Sequence, residues 1–227
     1  MKHIKHIFFD LDHTLWDFDK NSKLTFIYLF EKHKLDIDVE KFLEGYEVIN
    51  LKYWKLYRED KINKDDLRFN RLKEALDVIN FDASDDLIRI LSEDYITYLT
   101  QYNFLFDGTL EILEYLHTKY HLHILTNGFT EVQSLKMNKS GIAKYFKTIT
   151  DAEMVGVKKP NPKIFNFALH KAEALKTNSI MIGDSLEADI LGAIDIGLDA
   201  IFFNPKNKES QNGIKTVNHL SLIKTYL

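Results

Sequence analysis

Cysteine is absent from this chain of 227 residues. Its absence excludes disulfides and thiolate metal sites and is consistent with a reducing compartment. Neither sign of charge dominates, since 30 Lys and Arg face 34 Asp and Glu for a formal net charge of −4. A basic footprint for a nucleic-acid polymer is therefore missing. Long hydrophobic runs are missing too. The apolar stretch near the N-terminus is interrupted by Asp10, too early for a signal-peptide core, and no window approaches a membrane span. These absences predict a soluble, cytoplasmic protein with neither a membrane nor a nucleic acid as partner. The 45% of apolar residues suffices for a sizeable core.

Glycine and proline are scarce and unevenly placed. Up to Phe106 there is one glycine, Gly45, and no proline; the other eight glycines and all three prolines follow. Punctuation this sparse fits consecutive helices, and frequent punctuation fits strands alternating with helices. The first part predicts helices over about 22–33, 38–58, 64–78 and 84–102, with Asp65 and Ser84 as start signals. Beyond it, strands are expected over 121–127, 148–150, 179–184 and 200–203. Helices are expected over 110–117, 131–138, 162–172 and 187–196. That alternation implies a parallel α/β sheet covered by helices on both faces.

What is present in concentrated form is the stretch IFFDLDHTLWDF, residues 7–18. Ile7, Phe8 and Phe9 read as a strand buried on both faces, and Asp10 and Asp12 follow at its carboxyl end, the edge where open α/β sheets bind ligands. An Asp-rich turn is the plain alternative. The rest of the chain weighs against it, because Thr126, Lys159, Asp184 and Asp189 also lie at or just past predicted strand ends. Such a group offers carboxylates for a hard cation such as Mg²⁺, a lysine and a hydroxyl for phosphoryl charge, and a carboxylate nucleophile.

The segments DLDHTL, LTNG, VKKPNP and GDSLEADI together resemble the four ordered motifs of the haloacid dehalogenase superfamily of phosphohydrolases. The resemblance implies a Rossmann-like parallel-sheet core, residues 1–18 and 103–227, with an inserted helical cap, residues 19–102. It implies Asp10 as nucleophile, Asp12 as general acid and base, and Thr126, Asn127 and Lys159 as the phosphoryl-holding groups. Mg²⁺ would sit on Asp10, the Asp12 main-chain carbonyl and Asp184, with Asp189 orienting Lys159 or a metal-bound water. The substrate class implied is a small phosphate ester. LWDF, TNGFT and EMVGVKKPN look most like the pyrimidine 5′-nucleotidase subgroup, which points to a nucleoside monophosphate. Sugar-phosphate phosphatase or phosphomutase is the rival within the fold, and a phospho-acceptor signalling module the rival outside it. Monomer and homodimer both stay open.

One departure stands out: His13 occupies the position where the family usually has glycine. Other residues have bland readings. Lys158 competes with Lys159; Asp189 also suits a first helical turn. Trp16 and Phe18 suit either base stacking or hinge packing. Tyr46, Tyr53, Trp54 and Tyr57 read as a helix core stripe, Arg68 and Arg71 as a solvated face, and His121 and His123 as structural.

Overall fold

The computed structural model describes residues 3–207 and 212–227. Two compact units emerge, one of Met1–Phe18 with Asn103–Leu227 and one of Asp19–Tyr102. In the first, a six-stranded sheet runs β3-β2-β1-β4-β5-β6, with every pairing parallel. The strands are β1 (His6–Phe9), β2 (His121–Thr126), β3 (Phe146–Asp151), β4 (Ser179–Gly183), β5 (Asp199–Phe203) and β6 (Lys215–Val217). This is the doubly wound order, in which the chain reverses direction across the sheet beside β1.

The central strands are unbroken apolar runs because both of their faces are covered; β1 (HIFF) and β4 (SIMIG) are buried at every residue. On one face, Phe8, Leu125, Met181 and Phe202 pack against Ile164, Phe165 and Leu169 of the helix α8 (Pro162–Lys171). Each fully buried side chain of this kind stabilises the fold by about 1.5–3 kcal/mol. Register then fixes the edge. Phe9 lies opposite Ile124 and Ile182, so Asp10, Thr126 and Asp184 emerge within two residues of one level.

Two expectations need correction here. The stretch expected as one helix over 187–196 is a π-helical segment, Leu186–Leu191, followed by a short helix, Gly192–Asp195. The wide turn closes through the Ile190 amide, which donates to the Ser185 carbonyl at 3.2 Å. Strand β6 went unanticipated because three residues, KTV, carry almost no periodic signal.

The second unit contains α1 (Phe18–Lys32), α2 (Val39–Arg58), α3 (Lys64–Val78) and α4 (Asp85–Tyr98). Ser84 caps α4 as expected. The cap of α3 is Asn63, not Asp65, with Asp66 completing a reciprocal capping box. Aromatic rings fill the interior: Phe26 meets Phe42, Tyr46 and Tyr95 at 4.8, 4.7 and 4.8 Å between centroids. Arg71 does not lie on a solvated face. It is buried, donates to Asn50 Oδ1 at 2.9 Å and lies over the Tyr95 ring, so the helix stripe carries a cation inward.

At the amino edge of the sheet, His6 and His123 are buried with Nδ1 and Nε2 3.2 Å apart, and His123 also bonds Thr148 Oγ1 at 2.8 Å. Burial, then the neighbouring His6, His121 and Lys147, push His123 down to about 3. The unfolded chain takes up a proton near pH 6.5 while the folded one resists until far lower pH, so stability falls as pH drops through that window. For one group the slope is at most about 1.4 kcal/mol per pH unit. Urea titrations at pH 7.5 and 5.5 should show His123→Gln losing less stability between those values than the wild type; equal losses would mean His123 is protonated when folded.

Candidate active site

Lys159 is the centre of the carboxyl edge. It is 1% exposed, and its ammonium lies 2.7 Å from Asp10 Oδ1, 2.6 Å from Asp189 Oδ1 and 2.7 Å from the Leu125 carbonyl. All three N–H donors of the lysine are thereby used. Burial works against its charge, but Asp10 and Asp189 outweigh burial and hold its pKa above the ordinary value. Of the two adjacent lysines, Lys159 is the one delivered to the acids. Asn127 does the delivering: its Oδ1 accepts from the Lys159 amide at 2.7 Å, and its Nδ2 donates to the Lys159 carbonyl at 3.0 Å. The Asn127 oxygen and one of its two side-chain N–H groups are thereby engaged on the lysine loop.

Asp10, Asp184 and Asp189 each place a carboxylate oxygen within 4.8 Å of the others. Asp189 reaches this cluster from the π-helical segment, and its Oδ2 accepts from the Ser185 amide at 3.0 Å. Gly183 makes room for it, since a Cβ there would lie 2.3 Å from Asp189 Oδ2. Burial, opposed by Lys159 and reinforced by Asp189 and Asp12, raises Asp10 to about 7. Three carboxylates gathered this closely form a site that a hard divalent cation with oxygen ligands at about 2.0–2.1 Å would suit. The donor set, all oxygen, fits Mg²⁺ rather than a softer metal.

Asp12 lies beside this group with a different partner. Lys136 Nζ is 2.6 Å from its Oδ1, and Gln133 Nε2 donates to its Oδ2 at 2.9 Å. Gln133 Nε2 also donates to Thr126 Oγ1 at 2.8 Å, and the Gly128 amide donates to the same oxygen at 3.1 Å. Gln133 and Lys136 come from α6 (Thr130–Lys139) and escaped the sequence reading. Their signal was the three-residue spacing, which puts both on one helix face.

The departure at His13 also has a physical description. Its φ is +61°, the left-handed region that glycine enters freely and other residues enter at about 1–2 kcal/mol. The His13 ring packs on Phe18, with centroids 4.8 Å apart. Trp16 is fully buried, and the Lys136 ammonium sits 4.4 Å from its ring and 5.5 Å from that of Phe18. Packing around the lysine, rather than an open stacking platform, is what Trp16 provides. Asp151 ends β3 at this same edge, but it accepts from Thr130 Oγ1 and caps the next short helix through the Met154 amide.

A family model for haloacid dehalogenase-like hydrolases matches residues 4–197. The chain belongs to this family. Within it, the chain is 30% identical over 209 residues to the pyrimidine 5′-nucleotidase YjjG of Escherichia coli (strain K12), covering 92% of this chain and 89% of that one. It is 32% identical over 211 residues to the pyrimidine 5′-nucleotidase PynA of Streptococcus pneumoniae, covering 91% and 86%. The crystal structure of the HAD-hydrolase YfnB of Bacillus subtilis, bound to magnesium, superimposes with a TM-score of 0.90 at 27% identity over 99% of both chains. This haloacid dehalogenase-like hydrolase therefore has the Rossmann-like α/β core that its sequence pattern implies.

The hydrolase positions Lys159 through a tight contact. A Cβ on Gly192 would lie 2.7 and 3.0 Å from Pro160 Cβ and Cα and 3.0 Å from Phe165. Alanine in a helix gains about 1 kcal/mol over glycine, whereas overpacking costs about 1–3 kcal/mol. Gly192→Ala should therefore lose about 1 kcal/mol net in denaturant titration and lower turnover by displacing the Lys159–Pro160 backbone. Full stability with full activity would show that this segment yields without moving the lysine.

Proposed function

We propose that this enzyme, a phosphoric monoester hydrolase, works through an aspartyl-phosphate intermediate on Asp10 and takes pyrimidine nucleoside 5′-monophosphates. The observation that carries the reading is the meeting of Asp10, Asp184 and Asp189 within 4.8 Å of one another beside the Lys159 ammonium. Asp10 attacks phosphorus, the ester oxygen departs with a proton from Asp12, and Asp12 then takes a proton from the water that releases phosphate. General acid–base help of this kind contributes about 10²–10⁴-fold. Lys159 and the Thr126 hydroxyl bear the charge of the phosphoryl oxygens through the transfer. Asn127 contributes by holding Lys159. Mg²⁺ on Asp10, Asp184 and the Asp12 main-chain carbonyl would supply charge neutralisation for the phosphoryl group. Asp189 keeps Lys159 oriented, and residues 19–102 serve as the cap that chooses the ester.

The nucleophile is tested by Asp10→Asn, which should abolish phosphate release in Mg²⁺ while leaving the far-ultraviolet circular dichroism unchanged; turnover at the wild-type rate would remove Asp10 from that role. Substrate choice is tested separately. In a panel of monophosphates, kcat/KM should rank dUMP, dTMP and UMP above purine nucleotides and sugar phosphates. Similar values throughout would defeat the pyrimidine assignment, and a preference for a sugar phosphate would replace it.

A further inference from the structure

We infer that Gln133 and Lys136 are positioning residues that set the direction of the Thr126 hydroxyl and hold the Asp12 carboxylate. The inference rests on the reading of Asp12 as acid and base and adds to it two residues that act through Asp12 and Thr126.

Hydrogen-bond capacity decides which way the Thr126 hydroxyl points. A threonine oxygen has two lone pairs and one proton. On Thr126, both lone pairs accept, one from the Gly128 amide at 3.1 Å and one from Gln133 Nε2 at 2.8 Å. Its own O–H is left to donate, which is the polarity a phosphoryl oxygen requires. The Gln133 amide is fixed in turn. Its two N–H groups go to Asp12 Oδ2 at 2.9 Å and to Thr126 Oγ1; reversing the amide would aim its oxygen at a carboxylate. Gln133 Oε1 is buried without a hydrogen-bond partner, so the orientation is held at the cost of an unsatisfied acceptor. Space for the side chain comes from Gly128, where a Cβ would fall 2.3 Å from Gln133 Nε2.

Lys136 completes the arrangement. Its ammonium takes Asp12 Oδ1 at 2.6 Å while lying over Trp16, and its side chain is 3% exposed. Both oxygens of Asp12 are thus tethered to one face of α6, and the same glutamine links that carboxylate to Thr126. A lysine this buried loses side-chain freedom of up to about 2 kcal/mol, so surface solvation is not what holds it there.

The test is the dependence of rate on the leaving group, measured with Mg²⁺ for the wild type, Asp12→Asn, Gln133→Met, Gln133→Glu, Lys136→Met and Lys136→Arg. The esters are p-nitrophenyl phosphate, whose phenolate departs without a proton, and a nucleoside 5′-monophosphate, whose alkoxide needs one. We expect Gln133→Met and Lys136→Met to lower kcat on the alkyl ester by about 10–100-fold, the range for lost orienting partners. On the aryl ester the loss should be several times smaller, with KM little changed on either. Lys136→Arg should restore part of the loss. Gln133→Glu should be worse than Gln133→Met on both esters, because its carboxylate captures the Thr126 O–H and repels Asp12. If Gln133→Met fails to fold, Lys136→Met carries the leaving-group test through Asp12 alone.

For Lys136→Met, which strips a partner from Asp12 and none of the Thr126 partners named above, equal losses on both esters would overturn the inference in favour of a purely structural role, and so would no loss at all. Asp12→Asn separates the two layers. If it discriminates between the esters and the Gln133 and Lys136 variants do not, the positioning role falls alone. If Asp12→Asn does not discriminate, the acid–base reading of Asp12 falls and takes this inference with it.

Discussion

The ammonium of Lys159, buried between Asp10 and Asp189, is the constraint that the carboxyl edge is built around. Taking a lysine and two carboxylates out of water is expensive, and removing one member would strand the others. The fold meets that cost with geometry. Two adjacent parallel strands bring Asp10 and Asp184 to one level, a π-helical turn swings Asp189 inward, and the Asn127 amide holds the lysine backbone from the neighbouring strand end. Even the glycines follow from it: Gly183 clears space for Asp189, and Gly192 lets Pro160 lie close enough to deliver Lys159.

Much of this was legible in the sequence where burial was uniform. HIFF and SIMIG read as strands covered on both faces, and both are. Once β1 and β4 are neighbours, the residues that follow them must share an edge, so the closeness of Asp10 and Asp184 was a consequence of topology. Of Lys158 and Lys159, the family resemblance pointed to Lys159, and the buried ammonium belongs to Lys159. The inference failed where a buried position is polar. Gln133 and Lys136 face inward from α6, and Arg71 faces inward from α3. A reading that equates buried with apolar assigns such residues to solvent. In the second unit the aromatic stripe prevailed over the charge at Arg71, whose stem and guanidinium pack on Tyr95.

Helix ends show a second limit. Asp65 and Asn63 are both good starters by composition, and the decision fell to reciprocity: Asn63 accepts from the Asp66 amide while Asp66 accepts from the Asn63 amide. No count of helix formers contains that information. The π-helical turn is similar. Its residues, LEADIL, suit an α-helix, and in the wide turn Asp189 meets Lys159 and the Ser185 amide.

The two acidic groups at this edge are electrostatically unlike. Asp12 has its own cation, Lys136, and a neutral amide donor in Gln133. Asp10 and Asp189 share Lys159, and Asp184 brings a third carboxylate oxygen within 4.8 Å of theirs. A bound divalent ion would therefore change the second group far more than the first. On the reading proposed here, that difference lets the chain hold Asp12 in place whether or not the ion is present, while the nucleophilic form of Asp10 depends on it. Burial and its acidic neighbours push Asp10 up to about 7, and an adjacent cation acts in the opposite sense. On that proposed mechanism, separate counter-ions for adjacent aspartates would let one carboxylate stay ionised as a nucleophile while the other exchanges protons, two tasks that a shared charge would tie together.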